Sequence, residues 1–249
     1  MRNEHAFFKR VYNIATFVML AGLALTGRAD AYDFFYWDRG ATGHESALYG
    51  AELSEKPLIL YFHIPGNVWC EKLNNTYLAT EKIESFLLEM YKVEIDPDSG
   101  EEEKALSSKY GVTRYPAFLV TIPAFKTGPE RVHPFAKEDD MSVDEFLLAF
   151  KGRIAHIFSN KAFASFESNA YELALKYYKL ALEYDPNSFY VYFAMGMVYE
   201  KIGVEKESLM SLLDAQTNFL KAQEIDPSHK DTKAALENVQ KNIEILRER

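Results

Sequence analysis

Cys70 is the one cysteine in this 249-residue chain, and it lies in the stretch Lys56 to Leu78, KPLILYFHIPGNVWCEKLNNTYL. A thiol at the start of a helix is made nucleophilic by the unsatisfied N–H groups and the dipole found there. Without a second cysteine, an intramolecular dithiol–disulfide cycle is excluded, as is an internal disulfide framework. Any turnover through Cys70 would need an external thiol. His63, at the end of the preceding apolar run, is the nearby candidate for a Cys–His pair, although a lone histidine there more often serves as hydrogen-bonded structure.

Other chemistry finds no residue set. The six histidines are scattered, with no H-x3-H pair, so zinc has no ligands. The loop from Asp96 through Asp98 to Glu103 puts carboxylates at alternate positions. Gly100 nevertheless comes one place early for a calcium loop, and Ser107 stands where a bidentate Glu is required. Those acidic residues suit the start of a helix over Glu101 to Lys109. Neither a glycine-rich phosphate loop nor G-x-S-x-G occurs. No metal and no small-molecule cofactor is expected.

The elements around Cys70 read clearly. Leu58 to Phe62 is a continuous apolar run between Pro57 and Pro65-Gly66, the pattern of a short buried strand. Asn67 is a good N-cap for a helix in which Trp69, Leu73 and Tyr77 share a face. Ahead of this stretch, Ala47, Leu48 and Ala51 suggest a short helix, and the aromatic cluster at Tyr32 to Trp37 an edge segment burying its rings, with an exposed partner-binding arm as the alternative. Behind it, a helix over Glu81 to Met90 leads to an alternating strand, Tyr91 to Ile95, then the helix Glu101 to Lys109 and a strand at Ala117 to Val120. Arg131 to Phe135 is a candidate final strand. Ser142 caps a helix to His156 with Phe146, Leu147, Phe150 and Ile154 on its apolar face.

This segment resembles the active-site strand and helix of the thioredoxin-like superfamily, whose members carry C-x-x-C at the helix start. Laid without gaps from Lys56-Pro57, the family's nucleophilic cysteine falls on Asn67 and its second on Cys70. Another placement uses the Trp69-Cys70 pair to make Cys70 the nucleophile of Cys70-Glu71-Lys72-Leu73, and needs three extra residues before the helix. Gly111 to Pro116 is similar to the family segment in which a helix ends at glycine and a cis proline opens the next strand, which implies a cis Tyr115-Pro116 bond beside the active-site helix. The resemblance covers about residues 40 to 152. It implies a degenerate active-site region of Asn67, Trp69, Cys70, Tyr115 and Pro116. At the second position Cys70 would be at least half buried and act as a small apolar residue; a mixed disulfide and monothiol catalysis are the other roles open to it.

The last hundred residues become all-helical, and they repeat. Ala174, Tyr178, Ala181 and Pro186 are echoed by Ala215, Phe219, Ala222 and Pro227, with Met195-Gly196 and Tyr199 in the helix between. This looks like tetratricopeptide repeats, whose small residues let paired helices approach closely. The two prolines are 41 apart where the family has 34, so about seven residues near Val204 to Met210 are expected as an insertion between the helices of the second unit. The opening helix of the first unit would run from about Ile154 to Glu167, and Ser228 to Arg249 reads as a capping helix. In such repeats the concave groove of the second unit would be lined by Tyr190, Phe193, Met197 and Glu200, with Phe163 and Phe166 as additions from the first. Three apolar side chains there point to a bound surface, covered by a partner or by another part of this chain.

Arg2, Lys9 and Arg10 precede an apolar run from Val11 to about Leu25, and Ala29-Asp30-Ala31 offers small residues for a signal peptidase. The expectation is a signal peptide over 1–31 with cleavage before Tyr32; an uncleaved membrane anchor is the alternative. Cleavage would leave 24 Lys and Arg against 35 Asp and Glu, a balance of −11. Such a surface disfavours nucleic acid and anionic lipid. The expected architecture is therefore an α/β thioredoxin-like domain over 32–153 followed by an all-α repeat region over 154–249. The function expected is a redox-inactive binding or assembly factor for other proteins of a cell envelope, periplasmic or secreted; the alternative is a thiol–disulfide oxidoreductase using Cys70 alone.

Overall fold

A computed structural model describes residues 34, 36–133, 135 and 141–248. The apolar run from Val11 to Leu25 and the cleavage site before Tyr32 lie outside the described residues.

Every residue of strand β2 (Leu58–Phe62) is buried. Leu58, Leu60 and Phe62 enter one core with Ala47 and Ala51 of helix α1 (Gly40–Ser54), whereas Ile59 and Tyr61 enter a second core with Leu73 and Phe150. Both faces of the sheet are covered, so the strand is apolar throughout rather than alternating. It pairs in parallel with β3 (Tyr91–Ile95) and antiparallel with β4 (Ala117–Thr121). The two-residue β1 (Asp38–Arg39) joins the outer side of β3, and β5 (Glu130–Val132) the outer side of β4. The resulting order, β1-β3-β2-β4-β5, with helices on both faces, is thioredoxin-like. The edge segment buries Phe34 and Trp37 and leaves Tyr36 exposed.

Helix α2 (Val68–Leu73) continues through a π-helical turn, Asn74–Leu78, before α3 (Glu81–Leu87). The helix expected to reach Met90 stops earlier. Its last residues turn so that the Tyr91 N–H can donate to the Pro57 carbonyl and bring β3 into register with β2. Helix α4 (Glu101–Lys109) has the expected bounds and ends at Gly111, whose positive φ (63°) suits glycine. The final strand is shorter than expected: pairing with β4 ends at Val132, and Phe135 packs on Tyr77 and Trp69.

Helix α5 (Val143–Glu167) opens with a reciprocal cap in which the Ser142 hydroxyl accepts from Glu145 N–H and the Glu145 carboxylate accepts from Ser142 N–H. It then runs for 25 residues without a break. Phe146, Phe150 and Ile154 complete the sheet core, while Ala155, Phe158 and Ala162 continue that core towards α6 (Tyr171–Tyr184). The boundary expected at 153/154 therefore falls inside one helix. Gly152 is the one glycine in it, at a cost of about 1 kcal/mol relative to alanine. Phe125, in the short turn Pro123–Phe125, closes the same junction edge-on against Tyr177 (4.9 Å) and Phe158 (5.5 Å).

Helices α7 (Phe189–Glu205), α8 (Leu209–Ile225) and α9 (Lys230–Arg247) stack onward. The seven extra residues are not an inserted loop. They extend α7 and α8 by about a turn each, and only Lys206 to Ser208 separate them. Two helical turns span about seven residues, so both helices keep their packing phase. Among the described residues no helix is long and apolar enough to cross a membrane.

Candidate functional site

The chain leaves β2 through His63 and a turn in which Asn67 N–H donates to the Ile64 carbonyl. Asn67 then caps α2, its side-chain oxygen accepting from the amides of Trp69 (3.0 Å) and Cys70 (3.2 Å). These are the donors that would otherwise stabilise an anion at the helix start. Replacing Asn67 with alanine is expected to cost about 1 kcal/mol, read as a lowered urea midpoint with unchanged m.

Cys70 follows one turn in and is 1% exposed. Burial pushes its thiol above the ordinary thiol range; hydrogen bonding from the Ile64 backbone and the Tyr61 side chain pulls it back, and the Glu71 charge adds to the rise. Sequence reasoning missed Tyr61, whose hydroxyl also donates to the Cys70 carbonyl (3.3 Å) and to Asn74 Oδ1 (2.8 Å), pinning α2 to β2. Nothing in its run of apolar neighbours marks that role. His63 does not serve the thiol: its Nε2 is 2.6 Å from Glu94, which also meets Arg39 at 3.1 Å, and its ring stacks on Tyr61.

Trp69 does not share the buried face of Leu73 and Tyr77. It is 54% exposed beside exposed Val68, against Phe135 and under Lys72 Nζ at 5.5 Å. The Tyr115–Pro116 bond is cis. Because Ala117 pairs with Phe62, Pro116 lies at the end of the sheet from which the turn to α2 departs. Asn67, Trp69, Cys70, Tyr115 and Pro116 thus gather at one end of the sheet. Among the described residues, no group of three or more His, Cys, Asp or Glu is placed to hold a metal.

A second site lies along α5 and α7, a groove of about 410 Å³. Gly152, Ala155 and Ala194 keep its floor low, and Phe163, Tyr190, Phe193 and Met197 contribute its apolar surface. Three of the four expected groove residues are therefore together. Glu200 does not line the cavity; it is one turn further along the same face of α7, where its Oε1 accepts from Asn238 (2.6 Å) and Asn242 (3.2 Å) of α9. Burial raises the Glu200 carboxyl, and the two amides pull against the rise. Phe166 turns inward onto Tyr171 (6.0 Å) instead of lining the groove. Phe193 is shared, its ring also packing on Phe219 at 5.4 Å. His156, Ser159, Asn160, Asp185 and Ser188 are polar lining that sequence reasoning did not single out.

The family model described as TPR repeat matches residues 164–203. Residues 164–203 thus match a tetratricopeptide repeat, and they follow a sheet of thioredoxin-like strand order. Among solved structures, it is similar to DsbH oxidoreductase, with 19% identity over 46% of this chain and 81% of that one, TM-score 0.33. It is also similar to a thioredoxin from Thermus thermophilus (22% identity, 45% and 82% of the two chains, TM-score 0.34). A third is oxidised thioredoxin O2 from Arabidopsis thaliana, at 16% identity, 37% and 80% coverage and TM-score 0.30. No curated protein matches the chain.

Proposed function

We propose that this chain is an exported, redox-inactive thioredoxin-like protein that binds other proteins and serves an assembly in the cell envelope. The observation that carries the redox part is the placement of the one thiol. Cys70 is 1% exposed, and Asn67 stands at the helix start with its side chain on the amides that would hold a thiolate. The binding part is supported by the repeat match and by the open groove at Phe163, Tyr190 and Met197. Exposed Val68 and Trp69 beside Phe135 offer a second contact surface. Export is supported by the basic start, the apolar run and Ala29-Asp30-Ala31. Recovery of a mature amino terminus at Tyr32 tests it.

The thiol is tested by disulfide reduction in the presence of external dithiol. The wild type and Cys70→Ser are expected to run at the same background rate; turnover that disappears on substitution would establish the monothiol enzyme instead. Alkylation gives the pH dependence. Because burial raises the thiol pKa and covers the sulfur, the folded protein should react at neutral pH more slowly than a free cysteine, with its rate rising only above the ordinary thiol range. In urea the rate should return to that of free thiol. A folded rate equal to the unfolded one would contradict the buried assignment.

A further inference from the structure

The groove between α5 and α7 is lined by one carboxylate, Asp185, and a second, Glu200, stands one turn beyond it on α7; among the described residues neither forms an ion pair. Asp185 lines it at the turn between α6 and α7, and among the described residues its carboxylate has no hydrogen-bond or ion-pair partner. The contrast with the next unit is direct. Asp226, 41 residues on, accepts from both the N–H (3.0 Å) and the hydroxyl (2.6 Å) of Ser228. Asn187 stands in the place of that serine, and Asp185 is left unused.

Glu200 is the second carboxylate. Tyr190, Phe193, Met197 and Glu200 follow at i, i+3, i+7 and i+10, one face of α7 about 15 Å long. Only neutral amides meet Glu200, both on Oε1, and among the described residues Oε2 has no partner. The nearby basic groups are engaged elsewhere: His156 and Arg153 face Glu130 at 2.7 and 3.6 Å, and Lys201 faces Glu205 at 3.3 Å. The face between the carboxylates is apolar and open, with Tyr190 78% and Phe163 49% exposed. Aromatic faces beside an unneutralised carboxylate favour a basic side chain over an acidic one.

We propose that this groove binds a peptide segment carrying basic side chains at both ends of an apolar centre, the basic groups meeting Asp185 and Glu200 and the apolar ones meeting Phe163, Tyr190, Phe193 and Met197. The inference rests on the groove being a protein-contact surface, as proposed above. Acidic tails are excluded by the same two charges.

The test is fluorescence anisotropy with the purified protein and a labelled 14-residue peptide bearing lysines at each end of a leucine- and phenylalanine-containing centre, against its glutamate counterpart. The lysine peptide should saturate, and more weakly at high salt. Asp185→Asn and Glu200→Gln should each weaken it about fivefold or more, whereas Glu102→Gln, an exposed carboxylate on α4, should leave it unchanged. The glutamate peptide should not saturate. Tyr190→Ala separates the two levels, since an exposed ring can be removed without disturbing the fold. If it weakens the lysine peptide but the charge variants do not, the charge inference is overturned and the groove survives. If the peptide binds Tyr190→Ala and the charge variants as well as wild type, or no peptide binds, both fall.

Discussion

Phe150→Ala is expected to destabilise the whole described fold by about 3–5 kcal/mol, a large share of the roughly 5–15 kcal/mol that holds a domain together. Phe150 is fully buried on α5 and meets Phe118 of β4 and Phe86 edge-on, each at 5.3 Å. Its removal leaves a cavity bounded by sheet and helix that neither can close, and it also removes aromatic pairs worth about 0.5–1.5 kcal/mol each. The wider consequence follows from α5 itself. One helix supplies both the last layer on the sheet and the first helix of the repeats, so the two parts should lose structure together. Trp37 and Trp69, the chain's two tryptophans, report on the sheet region, whereas far-UV circular dichroism reports mainly on helices. Urea midpoints from the two probes should coincide in the wild type and move down together in Phe150→Ala. Separate midpoints would contradict the shared-helix account.

The sequence carried the sheet region best where local and tertiary demands agree. Leu58–Phe62, Tyr91–Ile95 and Glu101–Lys109 have the expected bounds, because proline, glycine or a run of acids punctuates each one and the run between is buried or periodic without interruption. The cis bond before Pro116 was legible only through the resemblance of Gly111 to Pro116 to the thioredoxin-like segment. What failed depended on phase or on distant partners. Trp69, Leu73 and Tyr77 are spaced by four, but Trp69 sits in the first turn of α2, before the buried stripe that starts at Cys70 and Leu73, and four-residue spacing does not mark where that stripe begins. Trp69 faces outward against Phe135. The continuity of α5 was hidden because apolar spacing reads alike on both sides of residue 154. The seven extra repeat residues looked like a loop because length alone does not distinguish an insertion from two added turns. Glu200 was placed on the right face of α7, but its amide partners lie about forty residues away on α9 and carry no local mark.

Gly196→Val should separate α7 from α8, at a cost of about 3 kcal/mol. A Cβ at residue 196 would lie 2.5 Å from Phe219 Cε1 and 2.6 Å from Cδ1. The ring cannot step aside, since Phe219 is fully buried and also packs against Phe193 at 5.4 Å. Helix propensity alone points the other way, because glycine costs about 1 kcal/mol relative to alanine inside a helix. Gly196→Ala therefore measures which effect wins: close packing predicts net destabilisation, and propensity predicts a gain. A double-mutant cycle with Phe219→Leu sharpens the comparison. If the clash is the cause, Gly196→Ala should be better tolerated beside leucine than beside phenylalanine by about 1 kcal/mol or more, as urea midpoints would report. Additive effects would place the cost elsewhere. The same contact links stability to binding, because Phe193 stands between the Phe219 ring and the groove. Gly196→Val should accordingly weaken the lysine peptide as well as the fold, whereas Tyr190→Ala should weaken the peptide alone.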